Sequence, residues 1–219
     1  MIDFSSFEQL PTKGIAVILD DHSLFAESFS VFLEKTGIFK SVFVFTDDSK
    51  ANSFLLRLSG NMHVFVFLDY YLKEKTGLPL ISEFKRIYKP LSLIIISSMT
   101  NPMLIEHVMI HPIDGFLGKS SEASEIIQCI KMICQQGRYV SPRIEEMRLE
   151  RNQPGTIPFT DREIEILGYF AEGLSVIRTA EKMNLSSHTI VSHRRRMMAK
   201  AKVKSITELL WFARKLDLI

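Results

Sequence analysis

Five short apolar runs punctuate the first 140 residues: Gly14-Ile-Ala-Val-Ile-Leu19, Ser41-Val-Phe-Val-Phe45, Val64-Phe-Val-Phe-Leu68, Leu93-Ile-Ile-Ile96 and Gly115-Phe-Leu-Gly118. Near-continuous apolar character over so few residues is the pattern of strands buried on both faces. Between the runs lie segments with helical spacing. The first spans about His22 to Lys35 and is ended by Gly37; the second runs from Ser49 to Leu58. The third runs from Leu78 to Tyr88 and is stopped by Pro90; the fourth follows Asn101-Pro102, and the fifth runs from Ala123 to Gln136, before Gly137. Five such units predict an α/β doubly wound parallel sheet with strand order 2-1-3-4-5.

The pattern breaks at 138–157. Arg138-Tyr-Val-Ser-Pro142, a charged stretch to Arg151, and Asn152-Gln-Pro-Gly-Thr-Ile-Pro158 read as a linker, within which Pro142 to Arg151 can form a short helix. Only helical patterns follow. Thr160 with Glu163 makes a capping box for a helix over Asp161 to Ala171, ended by Gly173. A short helix follows near Val176 to Met183. The turn Asn184-Leu-Ser-Ser187 then opens a third helix at His188, and a fourth spans Ser205 to Leu216. The predicted organisation is an extension at 1–13, an α/β domain at 14–137, a linker at 138–157 and an all-α domain at 158–219.

Charge divides along the same line. Residues 1–150 carry 15 Lys/Arg and 18 Asp/Glu, a net of −3, whereas residues 151–219 carry 12 and 7, a net of +5. The last third is the candidate for a polyanionic partner. No apolar run approaches the ~20 residues of a membrane helix, and the N-terminus has no basic region before an apolar stretch, so the expectation is a cytoplasmic protein without a membrane partner. Cys129 and Cys134 lie five apart, off a common helical face, and are expected to be reduced. His107 and His111 sit four apart with no accompanying carboxylate or Cys pattern, which favours a surface or packing role over a metal.

Chemistry gathers at the strand ends. Asp20 and Asp21 follow the first run, Asp69 the third, Ser97 the fourth and Lys119 the fifth. In a parallel sheet these positions share the C-terminal edge, where open α/β folds bind ligands. Crowded carboxylates resist joint ionisation unless a cation neutralises them, and oxygen-only ligation with bound water suits Mg2+. One acid is then free to attack phosphorus, while a hydroxyl and an ammonium hold the added oxygens.

This ordered set resembles the receiver domain of bacterial two-component response regulators, over roughly residues 14–137. The resemblance implies a flavodoxin-like fold, with Asp69 as the phosphoacceptor. It implies Mg2+ (or Mn2+) on Asp20, Asp21, Asp69 and the backbone carbonyl of Tyr71. Ser97 becomes the switch hydroxyl, with Ser98 as the alternative; Lys119 binds phosphate, and Phe116 is an aromatic that turns inward on phosphorylation. Gly77 falls where the family often has glycine before its third helix. Lys73 and Ser120 stand where the family commonly has proline, a difference of loop geometry that bears on the lifetime of the phosphoryl group.

The C-terminal third holds a helix-turn-helix, whose second helix enters the major groove. From His188 to Lys204 there are six Lys/Arg and no Asp/Glu. Ile190, Met197 and Ala201 make the core-facing stripe. Val191, Ser192 and Arg195 face another side near the helix start, within reach of base edges, and Arg195 can bridge guanine. Thr189, Arg194, Arg196, Lys200, Lys202 and Lys204 are placed for phosphates. Phe159-Thr-Asp-Arg-Glu-Ile-Glu-Ile-Leu167, Ala171-Glu-Gly-Leu-Ser175, Ala180 and Ser187-His-Thr-Ile-Val-Ser-His193 resemble the LuxR-type helix-turn-helix of the NarL/FixJ class. Arg178 and Thr179 depart from the family's usual glutamate and isoleucine. In that family the last helix supplies the dimer contact, and part of its apolar surface here, Trp211 included, is available for one.

Together these readings predict a DNA-binding transcriptional regulator, phosphorylated on Asp69 by a sensor histidine kinase and forming a homodimer on double-stranded DNA. RNA polymerase is a further candidate partner. The chain is expected not to be an enzyme beyond its own phosphoryl transfer and dephosphorylation. The alternative is a phosphorylation-independent regulator acting as a homo- or heterodimeric DNA-binding partner.

Overall fold

The computed structural model describes residues 14–58, 62–72, 75–149 and 157–219. The extension at 1–13, Lys73 and part of the linker lie outside the described residues. The N-terminal elements are β1 (Ile15–Leu19), α1 (Ser23–Thr36), β2 (Ser41–Phe45), α2 (Asp48–Arg57) and β3 (Val64–Asp69). They continue with β4 (Tyr71–Leu72), β5 (Lys75–Thr76), α3 (Leu78–Ile87), β6 (Leu91–Ser97), α4 (Pro102–Met109) and β7 (Gly115–Gly118). Next come α5 (Ala123–Gln136), β8 (Tyr139–Val140) and α6 (Pro142–Leu149). The C-terminal helices are α7 (Asp161–Ala171), α8 (Val176–Lys182), α9 (Ser187–Ala201) and α10 (Ile206–Lys215).

Packing divides the chain into two compact units. One holds the described residues to 72, with 77–98 and 111–146; the other holds 75–76, 99–110 and the described residues from 147 on.

The first unit is built on a parallel sheet of order β2-β1-β3-β6-β7-β8. The five strands read from sequence keep their expected order. The sixth, β8, lies inside the stretch expected to be linker and pairs Val140 beside Phe116. Every residue of β1, β3 and β6 is buried, which explains their unbroken apolar runs. On one face Ile18, Phe67, Ile94 and Leu117 join Phe29 and Leu33 of α1 and Ile130 and Ile133 of α5 in a single core. Phe29 and Phe67 meet edge to face with ring centroids 5.1 Å apart. The alternate residues Val17, Val66, Leu93 and Ile95 are also buried, so helices cover both faces.

Register brings the strand ends level. Leu19 pairs with Leu68, Asp69 with Ile96 and Ser97 with Gly118. The residue after each strand end therefore arrives at one edge. Gly77 is needed there because a Cβ on it would stand 2.7 Å from the Asp69 carbonyl oxygen, closer than real contacts allow. Its N–H donates to the Tyr70 carbonyl at 2.7 Å, folding the loop after β3 back on itself.

In the second unit, α7 opens on the expected capping box: Thr160 accepts from the Glu163 N–H, and the Glu163 carboxylate accepts from the Thr160 N–H at 2.9 Å. Ser175, Ser186 and Ser205 cap α8, α9 and α10, each accepting one backbone N–H on its side-chain oxygen. Asn184, with φ of 53°, turns the chain between α8 and α9. Ile164, Leu167, Ile190, Met197, Leu209 and Ala213 are buried and supply this unit's core, while Ala201 is half-buried. Phe159 packs edge to face on Phe212 at 5.9 Å between centroids. Helix α9 stops at Ala201 because Lys202 adopts the left-handed conformation, so Lys202 and Lys204 lie beyond the helix on which they were expected to ride.

Candidate functional site

Asp20 and Asp69 are each 2% exposed at the C-terminal edge of the sheet. Lys119, one residue past β7, directs its ammonium between them, with Nζ 2.7 Å from Asp20 Oδ2 and 2.8 Å from Asp69 Oδ2. The Lys119 N–H donates to the Ser97 carbonyl at 2.9 Å, which fixes where the side chain departs, and Nζ also lies 4.9 Å from the centre of the Phe25 ring. The second Asp69 oxygen, Oδ1, accepts from the Tyr71 N–H at 3.2 Å.

Burial pushes the Asp69 carboxyl up to about 6; the hydrogen bond from Lys119 opposes that rise and the nearby Asp20 charge adds to it. Burial alone would lower Lys119, yet its hydrogen bonds to Asp20 and Asp69 outweigh it and the ammonium is held above its usual range. One cation thus faces more acid than it can neutralise. Asp21 Oδ1 is buried without a hydrogen-bond donor, and one ligand atom from each of Asp20, Asp21, His22 and Asp69 lies within 4.8 Å of the others. An oxygen-rich group with a surplus of buried negative charge fits a hard divalent cation.

The other expected switch residues fall into place unequally. Ser97 is fully buried at the end of β6 and Ser98 is exposed. Phe116, the expected switch aromatic, is fully buried in β7. The sheet continues beside it. β8 extends it past β7, Val140 pairs beside Phe116, and the Ser141 N–H donates to the Phe116 carbonyl at 2.9 Å.

His22 was read only as the start of α1. Its Nδ1 stands 3.3 Å from Asp20 Oδ1, 3.2 Å from Asp21 Oδ1 and 3.8 Å from Asp69 Oδ2. The one available signal was its position directly after the acid pair.

On α9, Thr189, Val191, Ser192 and Arg194 are half-buried while Arg195 and Arg196 are exposed. Thr189 is engaged at the helix start, where its N–H donates to Ser186 Oγ at 3.0 Å and its own Oγ1 lies 2.8 Å from the same atom. Lys200 departs from the expectation of a free phosphate contact. Its Nζ donates to Glu163 Oε2, which is 3% exposed and also accepts from the Thr160 N–H and hydroxyl. The ammonium joins the C-terminal half of α9 to the first turn of α7. Burial would raise Glu163, but its bonds from Lys200 and Thr160 prevail and hold it below the usual carboxylate range.

Among the described residues no helix is long and apolar enough to cross a membrane. Residues 16–131 match the response regulator receiver domain family, and residues 158–213 match the bacterial regulatory proteins of the luxR family. The chain is 25% identical over 207 residues to the Fimbriae Z protein of Salmonella typhimurium, covering 93% of this chain and 97% of that one. A solved structure of the Salmonella typhimurium RcsB response regulator superposes with a TM-score of 0.72 at 25% identity, covering 94% of this chain and 98% of that one. A second, of RcsB from Salmonella enterica serovar Typhimurium bound to promoter P1flhDC in the presence of phosphomimetic BeF3-, gives a TM-score of 0.70 at 25% identity, with 93% and 100% covered. With the acid edge on the α/β unit and the capped helix-turn-helix that follows it, these matches establish that the chain belongs to the response regulators of the NarL/FixJ class, a receiver domain joined to a LuxR-type DNA-binding domain.

Proposed function

We propose that this response regulator is switched by phosphorylation of Asp69 by a sensor histidine kinase, and that phosphorylation shifts its dimerisation and promoter binding. The observation that carries the reading is the Asp69 carboxyl itself: 2% exposed, pushed to about 6 and bonded to the Lys119 ammonium. At neutral pH most of it is ionised and so nucleophilic. An Asp69 oxygen attacks the phosphorus of the donor, the bond from phosphorus to the leaving nitrogen breaks, and an acyl-phosphate forms. Lys119, bonded to Asp69 Oδ2, exchanges that oxygen for one on the phosphoryl group, and the Ser97 hydroxyl closes from the neighbouring strand end. Asp20, Asp21, Asp69 and the Tyr71 carbonyl would hold Mg2+ or Mn2+, and its charge would offset the carboxylates and the incoming oxygens. The chain turns over no other substrate and works in the cytoplasm.

On the output side, α9 enters the major groove. Val191, Ser192 and Arg195 read bases, and Thr189, Arg194, Arg196, Lys202 and Lys204 grip phosphates; α10 supplies the homodimer contact, and RNA polymerase is a further partner. The RcsB relative solved on a promoter with a phosphomimetic supports both halves of this reading. Phosphorylation acts by population shift, favouring the state that pairs on two half-sites.

One feature favours the second reading, a regulator independent of phosphorylation: Lys73 and Ser120 stand where the family commonly has proline. Intact-mass measurement after incubation with acetyl phosphate decides between the two. The wild type should gain one phosphoryl mass only with Mg2+ or Mn2+, and Asp69→Asn should gain none. Wild type that stays unmodified yet binds DNA supports the second reading, and undiminished uptake by the variant places the acceptor elsewhere.

A further inference from the structure

We propose that His22 is an additional ligand of the acid pocket, through Nδ1, and that it makes the site a mixed nitrogen and oxygen site that binds divalent transition ions such as Ni2+ better than carboxylates alone would. The inference rests on the reading of the pocket as a cation site. The argument is geometric. An octahedral ion with ligands near ~2.1 Å sets neighbouring ligand atoms about 3.0 Å apart and opposite ones about 4.2 Å apart. The His22 Nδ1 separations from the three carboxylates, 3.2, 3.3 and 3.8 Å, fall within that span. Lys119 Nζ, 3.4 Å from the same nitrogen, already holds a positive charge among these atoms.

Backbone geometry places the residue over the pocket. His22 precedes α1 with φ of −82° and ψ of 86°, and its N–H donates to Asp20 Oδ1 at 2.8 Å, so the residue folds over the acid it follows. Its side chain makes no capping hydrogen bond to the helix. With 64% of the side chain exposed, the imidazole has room to close on an ion at little packing cost. Ligation uses the Nδ1 lone pair, with the ring proton on Nε2. Carboxylates and carbonyls suit Mg2+, whereas imidazole suits Ni2+, Zn2+ and their neighbours. Because any site prefers the later ions to Mg2+, absolute affinity does not reveal the imidazole. The change on removing it, ion by ion, does.

Titration calorimetry of the full chain with Ni2+ and, separately, Mg2+ on wild type, His22→Ala and Asp21→Asn tests this. Six histidines are present, so only Ni2+ binding weakened by Asp21→Asn counts as pocket binding. The expected result is a loss of at least tenfold in pocket Ni2+ affinity for His22→Ala, with Mg2+ affinity changed less than twofold. Pulsed electron paramagnetic resonance of bound Mn2+ should also show imidazole nitrogen coupling that His22→Ala lacks. Equal changes for both ions, or no change in either, with no nitrogen coupling overturns the role of His22 while Mg2+ binding stands. Absence of any Asp21-dependent binding, Mg2+ included, overturns the pocket reading itself.

Discussion

Two lysines in this protein end on buried carboxylates, and they do opposite work. Lys119 faces Asp20 and Asp69 together, with Asp21 and no second ammonium among the described residues nearby. Lys200 faces Glu163 alone, and two donors from Thr160 complete that carboxylate's shell. The difference is written in the acids: Asp69 is pushed up to about 6, while Glu163 is held down. A buried acid that is fully matched stabilises the fold it sits in. One that is outnumbered by its own kind stores a demand for further positive charge, which is what a site for a cation and a phosphoryl group requires.

Removing the lone ammonium should give the largest effect. Lys119→Ala leaves two buried carboxylates without their counter-ion, and breaking such a pair by deleting one partner costs about 3–5 kcal/mol. Hydrogen exchange of the β1, β3 and β6 amides should report the loss, and added Mg2+ should restore part of it by binding the folded state. A variant as stable as wild type without divalent ions would show that the pocket is not short of positive charge.

Removing one acid from each region should then give opposite signs. Asp69 rises from 3.8 to about 6, so between those values the folded chain keeps a proton that the unfolded chain has released. Stability falls as pH rises through that window, and the full penalty is present above it. Asp69→Asn should therefore stabilise the receiver unit at pH 7 by about 2–3 kcal/mol, with the gain shrinking toward pH 4. Glu163 is depressed, so its contribution is complete above the unfolded value of 4.5 and is lost as pH falls through the folded value below it. Glu163→Gln should cost about 1.5–3 kcal/mol at pH 7, the usual range for hydrogen bonds to a charged group, and progressively less as pH falls below 4.5 through the folded value. Urea unfolding followed through Trp211, the chain's one tryptophan, reads the second effect within its own unit. Losses of the same sign and pH course in both variants would collapse the distinction.

The contrast was only half legible in the sequence. Buried parallel strands write unbroken apolar runs, and Asp20, Asp69, Ser97 and Lys119 each stand at or beside the end of one, so fold and acid edge were both open to reading. Two residues of strand among charged and proline-bearing neighbours carry no such signature, which is why β8 was read as linker. Composition also cannot tell a lysine that grips DNA from one that grips its own fold. Lys200 sits in a basic run with Arg194, Arg195 and Arg196, but its partner is 37 positions away on α7. His22 was hidden by its helix-start position, since where the ring sits depends on backbone and side-chain torsions together rather than on spacing.

The smallest expected effect probes that ambiguity on DNA. Each phosphate neutralised by a lysine adds about 0.9 to the magnitude of the slope of log affinity against log salt. Lys202, exposed past the end of α9, should contribute one such contact, so Lys202→Ala should lower the slope by about 0.9 per protomer and weaken specific and random duplexes alike. Lys200 is committed to Glu163, so Lys200→Ala should leave the slope unchanged while lowering the stability of the C-terminal unit. Salt titrations of the three proteins on one duplex make the comparison direct. If Lys200→Ala flattens the slope as much as Lys202→Ala, its ammonium exchanges Glu163 for phosphate on binding. The two lysines contrasted above would then differ only in which anion arrives.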